Sequence, residues 1–380
     1  MLAQHFVSWC AVAGSAERAS GVALLAEAVT QNRFLPAETR EAEAALLFAL
    51  DDPSPRVRAT MARIVAGSDR VSRQLVLGLA KDTDEIATRV VARSPMLSAG
   101  DLVDLAQSGS PAVRLAVAGR ELLLPEVMAA LVASGDRDAL LELSRNDDAA
   151  IAPDLLRRMG AGFAADGELR HALLLRSDIP ADLRHSLLMA LGETLCSLPL
   201  VQGALGEERV AQLSQELVEQ ATAALIDLLE RTDVAAFAEH LRTTQQLTTA
   251  VLVRAVCCGR VDLFAAALAR LSRLPEARVR SLIVDASEPS FTALLRAAGV
   301  PFAVVPLMLS AVRAWKDVSS GDEIDPVDLA STVMDRVVIA FRAQERGRDD
   351  LEAVRDLLHR LASETQRFTA RKRAERYLAA

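Results

Sequence analysis

The sequence predicts an all-α protein, an α-solenoid of short helix pairs followed by a C-terminal helical region. Three observations point there. First, one phrase recurs: an apolar helical segment ends in arginine, a tight polar turn follows, and a new segment opens at a proline or an acidic cap. The copies read IATRVVAR ending at Arg93, PAVRLAVAGR at Arg120, DALLELSR at Arg145 and LRHALLLR at Arg176, so the arginines are 27, 25 and 31 residues apart. Second, the segments between them (AGDLVDLAQSG, PEVMAALVASG, APDLLRRMG and PADLRHSLLMAL) are second helices of similar length. Pairs of short helices that cannot bury an apolar side alone are what a stacked repeat is made of. Third, 51% of the residues are hydrophobic but only 3% are aromatic. Ala, Leu and Val therefore supply the core, which favours close helix packing over strands.

Taken in order, the chain opens with a flexible start, then a helix over 16–30 with Val22, Leu25, Ala26 and Val29 at helical spacing. Pro36 interrupts it. A helix over 39–50 leads into DDPSP, where Ser54 is placed to cap a helix that starts at Pro55. Segments 72–79 and 85–93 form the next pair. Ser-Pro recurs at 54–55, 94–95 and 110–111, with proline tolerated at a helix start and forbidden inside one. A longer helix over 207–231 follows the break at Leu198-Pro199 and Gly203, and shorter helices then resume to residue 317. After VSSGDEIDP, where Asp325 precedes Pro326 as a cap, one helix carries Val333, Val337, Val338 and Phe341. The last has Leu351, Val354, Leu358, Leu361, Thr365 and Phe368 in a narrow seam. The expected division is 1–38 as N-terminal helix and linker, 39–200 as the solenoid, 201–318 as a second helical repeat region and 319–380 as C-terminal helices.

At 380 residues the chain can bury a core without disulfides or metals. Its net charge of −8 argues against a chain built to coat nucleic acid, and only Lys81, Lys316 and Lys372 among its 43 basic residues are lysines. Cys10, Cys196, Cys257 and Cys258 fall at no metal-ligand spacing and are expected to be reduced thiols in a cytoplasm. The opening lacks the basic region of a signal peptide, and the longest apolar stretch, 297–312, is short for a membrane span and contains Pro301 and Pro306.

No nucleotide-binding, nucleophile-elbow or zinc-protease motif is present. Of the histidines, His171 and His185 fall closest together, on successive helices. Arg93, Arg120, Arg145 and Arg176 are expected at helix C-termini, where a cation faces the orphan carbonyls. Their alternative role is a ladder that binds acidic groups of a partner. Arg367, Arg371, Lys372, Arg373 and Arg376, flanked by Phe368 and Tyr377, make a basic tail that suits either the negative end of the last helix or an acidic surface.

The runs IATRVVARSPMLSAGDLVDLAQSGSPAVRLAVAGR, LLELSRNDDAAIAPDLLRRM and LRHALLLRSDIPADL, with the later LTTAVLVRAVCCGRVDLFAAALARLSRLPEARVRSLI and FTALLRAAGVP, resemble a HEAT-like domain family of unknown function found mainly in alphaproteobacteria. The resemblance spans roughly residues 40–310. It implies an all-α HEAT-like repeat in a bacterial cytoplasmic protein, with no activity or catalytic residues to carry over. The functional expectation is a non-catalytic, cofactor-free protein–protein interaction scaffold presenting a curved surface to a protein or peptide, with a homodimer through the C-terminal helix as a further arrangement. A HEAT-like nucleic-acid binder and an enzyme with an unrecognised site are the rival classes. The first needs base-stacking aromatics, yet Trp9 and Trp315 are the only tryptophans.

Overall fold

The computed structural model describes residues 2–320, 328–345 and 352–379, and among them every regular element is helical. The chain divides into two compact units between Leu183 and Arg184. The boundary expected near residue 200 lies later than this division, where Pro199 opens a short helix, Pro199–Leu205.

The first unit contains α1 (Leu2–Cys10), α2 (Ser15–Thr30), α3 (Pro36–Phe48), α4 (Pro55–Val65), α5 (Arg73–Ala80), α6 (Asp84–Val91), α7 (Ala99–Ser108), α8 (Pro111–Ala118), α9 (Pro125–Ser134), α10 (Arg137–Arg145), α11 (Pro153–Phe163) and α12 (Gly167–Leu175). The opening residues, expected to be flexible, form α1, because Phe6 has a buried place to go. Proline occupies the first turn of α3, α4, α8, α9 and α11, where its missing N–H costs nothing. Ser72, Ser98, Ser110, Asp136 and Asp166 cap the starts of α5, α7, α8, α10 and α12 through their side chains. Ser54 does stand at the N-cap of α4, but its side chain makes no capping bond. Its backbone N–H instead donates to Asp52 Oδ1 at 2.9 Å.

Packing in this unit follows a rule. Each even-numbered helix lies against the next even-numbered one from α2 to α12, and α1, α3 and α5, then α7, α9 and α11, form the companion row. The faces between them are apolar: Val57, Met61 and Val65 on α4, Ile86, Val90 and Val91 on α6, and Leu140 and Leu143 on α10 are all buried.

Charged pairs tie most steps of the even-numbered row and some of the companion row. Arg18 of α2 reaches Asp52 ahead of α4 at 2.7 Å, Arg58 of α4 reaches Asp82 ahead of α6 at 2.6 Å, and Arg73 of α5 reaches Asp101 of α7 at 2.5 Å. Arg114 of α8 meets Asp136 at 3.3 Å, Arg137 of α10 meets Asp166 at 2.7 Å, and Arg157 of α11 meets Asp182 at 2.8 Å. The step from α6 to α8 uses a hydroxyl, Ser110 Oγ donating to Asp84 Oδ1 at 2.6 Å. Every carboxylate on a receiving helix sits at or just before its first turn, where the dipole favours negative charge. The Arg73 guanidinium, with help from Ser98, holds the Asp101 carboxyl down to about 2. Most of these pairs are bidentate forks, a geometry that arginine offers and lysine does not.

The second unit begins within α13 (Ala181–Cys196) and continues through α14 (Pro199–Leu205), α15 (Glu207–Leu228), α16 (Val234–Thr243), α17 (Thr249–Cys257), α18 (Val261–Ser272), α19 (Glu276–Asp285), α20 (Glu288–Ala297), α21 (Val305–Ser320), α22 (Leu329–Glu345) and α23 (Glu352–Ala379). Its centre is α18, where every residue from Leu263 to Ala269 is buried, as befits a helix that is apolar all round. Helices α16, α17, α19 and α20 surround it. Helix α17 is the second hub and touches α15, α21, α22 and α23. Between α17 and α18, Gly259 has φ +79° and an added Cβ would lie 2.7 Å from the Trp315 ring, so both backbone and packing require glycine. Trp315 Nε1–H donates to Val256 O at 2.7 Å.

The seam expected on the last helix is used within this unit. Leu358, Leu361 and Thr365 are buried, Phe368 is exposed, and Leu351 lies outside the described residues, as does the expected cap Asp325.

Candidate functional site

Arg93, Arg120, Arg145 and Arg176 do come to equivalent places, each at or within two residues of the end of α6, α8, α10 or α12. They do not share one job. Arg93 and Arg145 are exposed. Arg176 is only 7% exposed and donates to Ser144 O at 3.3 Å, Asn146 O at 3.0 Å and Ala149 O at 2.7 Å, while forking onto Asp178. Arg120 donates to Val91 O, and to Ser94 O at 2.9 Å. Burial pulls its guanidinium below the ordinary arginine range, and its Nε is buried without a partner among the described residues.

For Arg120 and Arg176 the expected role of capping their own helix is displaced by one step. Arg120, after α8, serves the carbonyls at the end of α6; Arg176, after α12, serves those at the end of α10. Asn146, after α10, serves the step between them, its Nδ2 donating to Ala118 O at 3.0 Å and Arg120 O at 2.7 Å at the end of α8. The ends of α6, α8 and α10 are thus each closed from the next helix of the row. In the second unit Arg260 does the same, donating to Ile226 O, and to Leu229 O at 2.7 Å. Asn146 and Arg260 were not singled out from sequence, although Asn146 follows directly on one of the recurring arginines.

The basic tail lies on α23, where Arg367, Arg371, Lys372, Arg373 and Arg376 are all exposed. Arg371 and Lys372 face Glu375 at 3.2 and 3.0 Å, Arg373 meets Asp328 at 2.7 Å, and Lys372 sits 5.8 Å from the Phe368 ring centre.

Two adjoining clefts, of about 460 and 520 Å³, share Gln220, Ala223, Arg254 and Glu364 as a wall between α15, α17 and α23. Arg254, largely buried, bridges Glu364 at 2.7 Å and Asp227 at 3.2 Å. Burial raises the Asp227 carboxyl above the ordinary range and pushes the Cys258 thiol up to about 11. A thiol so raised is a poor nucleophile at neutral pH. Burial also raises Cys257. No group of three or more His, Cys, Asp or Glu able to hold a metal occurs among the described residues.

His185 pairs with His240, rather than with the His171 that sequence spacing suggested. Its Nδ1 is 3.0 Å from His240 Nε2 and its Nε2 is 2.9 Å from Thr222 Oγ1. Thr222 gives its only hydroxyl hydrogen to Val218 O at 2.8 Å, so it accepts from His185 Nε2–H. His185 Nδ1 is then the acceptor of the His240 Nε2–H. Burial first, then His240, brings His185 down to about 4, a neutral imidazole across the physiological range.

A family model described as an uncharacterised protein conserved in bacteria (DUF2336) matches residues 86–346. The chain belongs to this family. No curated protein matches it significantly. The DUF2336 match starts within α6 and ends beside the last residue of α22, so it begins later and reaches further than the resemblance read from sequence. It takes in the capping row from α6 to α12 and most of the second unit, and leaves α1–α5 and α23 outside.

Two outcomes follow. Replacing Arg176 by Gln leaves three carbonyls, two of them buried, unserved and is expected to cost about 2–4 kcal/mol in chemical unfolding, while Gln at Arg93 or Arg145 changes stability by no more than about 0.5 kcal/mol. Because unfolded His185 takes up a proton near its ordinary 6.5 and the folded one resists until about 4, the stability contributed by His185 is full above pH 6.5 and falls by about 3 kcal/mol as the pH drops to 4, below which the paired carboxylates such as Asp101 take over the loss. Urea titrations across that window should show this slope in the native chain and a flatter one in His185→Gln.

Proposed function

We propose that this DUF2336 chain is a non-catalytic interaction scaffold, its first unit an α-solenoid of HEAT-like helix pairs that presents a curved surface to a protein or peptide partner in the bacterial cytoplasm. The observation that carries this reading is the contrast between backbone and side chains along the even-numbered row. The Arg–Asp forks and carbonyl bonds repeat from step to step and hold successive helices in similar relation. The exposed side chains do not repeat: Arg56 and Arg63 on α4, Glu85 and Arg89 on α6, Leu115 on α8, Asp138 on α10, His171 and Leu175 on α12. A regular framework carrying an irregular display suits recognition of one particular surface. Exposed Leu24, Leu115 and Leu175 would supply apolar anchors, with charged neighbours as a rim.

The nucleic-acid alternative has the α23 cations in its favour, but Arg371, Lys372 and Arg373 already face carboxylates. The enzymatic alternative has the clefts beside Arg254, whose charges are likewise spent on one another.

A photo-crosslinking residue placed in turn at Leu115, His171 and Leu175 in the native bacterium is expected to trap the same protein from all three positions. The same residue at Gln107 or Glu126, exposed on the companion row, is expected to trap none of it. Equal capture from both rows, or from neither, would contradict this reading.

A further inference from the structure

The segment from the end of α13 to the middle of α15 exposes much of its apolar surface. Helix α14 has no buried residue at all, and Leu200 is 82% exposed. Leu195, Leu198, Leu205 and Leu217 are exposed beside it. The same segment is acidic: Glu193, Glu207, Glu208, Glu216 and Glu219 stand against Arg209 alone. Contiguous exposed apolar side chains rimmed by charge mark a docking surface.

Its chemical complement is on the same chain. The end of α23 carries five cations, Arg367 to Arg376, against Glu375, with Phe368 and Leu378 exposed among them. Within one molecule the two cannot meet. Arg360 approaches Glu219 at 4.0 Å, and Arg254 joins Asp227 to Glu364 further along, so α15 and α23 run in the same sense. From that contact Glu207 lies about 18 Å back along α15 and Arg371 about 16 Å forward along α23, at a rise of 1.5 Å per residue. The acidic apolar pole and the basic apolar pole are thus at opposite ends of one rod.

We propose that a second copy of this chain covers the α14 surface, its α23 end lying on Leu200, Leu205 and the glutamates at the start of α15, while the first copy's α23 does the same in return. An antiparallel pair satisfies both poles twice and closes on itself, as an isologous two-fold contact must. Reciprocity also doubles the area buried by a single hairpin–helix contact, which helps it toward the roughly 1,200–2,000 Å² of a stable interface. This dimer differs from a coiled coil through the α23 seam, which is buried within the unit.

Light scattering and sedimentation of the full chain test it. The wild type should have the mass of a dimer, with a dissociation constant that rises with salt. Leu200→Glu with Leu205→Glu should weaken the dimer at least about 100-fold with the helical circular dichroism intact, since neither side chain is buried. Arg371→Glu with Lys372→Glu should weaken it at least about tenfold, and adding Glu207→Lys with Glu208→Lys should bring it back to within about threefold of wild type. A monomeric wild type, a dimer that the leucine changes leave untouched, or a charge reversal without effect or without rescue would each overturn the proposal. So would a monomer that floats with anionic lipid vesicles through Leu200 and Leu205. Among the described residues no single helix is long and apolar enough to cross a membrane, and α13 and α14 reach that length together only across a 67° bend.

Discussion

A helix of eight or nine residues has nearly half its carbonyls without an internal partner, and this unit contains several such helices in succession. Long helices hide that deficit in their length. Short ones must find donors elsewhere, and here the donors come from the neighbouring helix in the row. Arg120, Asn146 and Arg176 close the ends of α6, α8 and α10, and the Arg–Asp forks hold the starts. Stacking and termination are therefore one interaction for α6, α8 and α10, none of which is complete without the helix that follows it.

The second unit meets the same requirement differently. A helix buried along seven consecutive residues, α18, needs neighbours on every side, and the surrounding helices close around it as they do not in the first unit. Arg260 repeats the carbonyl-closing device at the end of α15, and Trp315 and Lys316 of α21 do so at the ends of α17 and α19. Charged residues cluster instead around Arg254, where desolvation is offset by two carboxylates. The buried His185 is kept neutral by the same cost of burying charge.

Helix starts were legible in the sequence because their cause is local: proline in the first turn, serine or aspartate before it. Their pairing into short helices was legible from apolar periodicity. The partners of the arginines were not. Asp52, Asp82 and Asp182 read naturally as turn and cap residues, and they do sit at helix starts, but what engages them is an arginine 24 to 34 residues away. Periodicity gives the distance between repeats without the register that decides whether an arginine closes its own helix or its neighbour's. His240 was invisible as the partner of His185 for the same reason, 55 residues of intervening chain. Recurrence of arginine near helix ends was real, yet Asn146 standing in for Arg145 shows that geometry, rather than residue type, defines the rung.

The dependence of each helix on its successor is tested most directly by a double-mutant cycle at Arg58 and Asp82, whose side chains are 15% and 11% exposed. Unfolding free energies of Arg58→Leu, Asp82→Asn and the double variant should give a coupling of about 1–3 kcal/mol with a single cooperative transition retained. A coupling below about 0.3 kcal/mol would mean that the apolar faces alone hold the row and that the charged ties are ornamental to it.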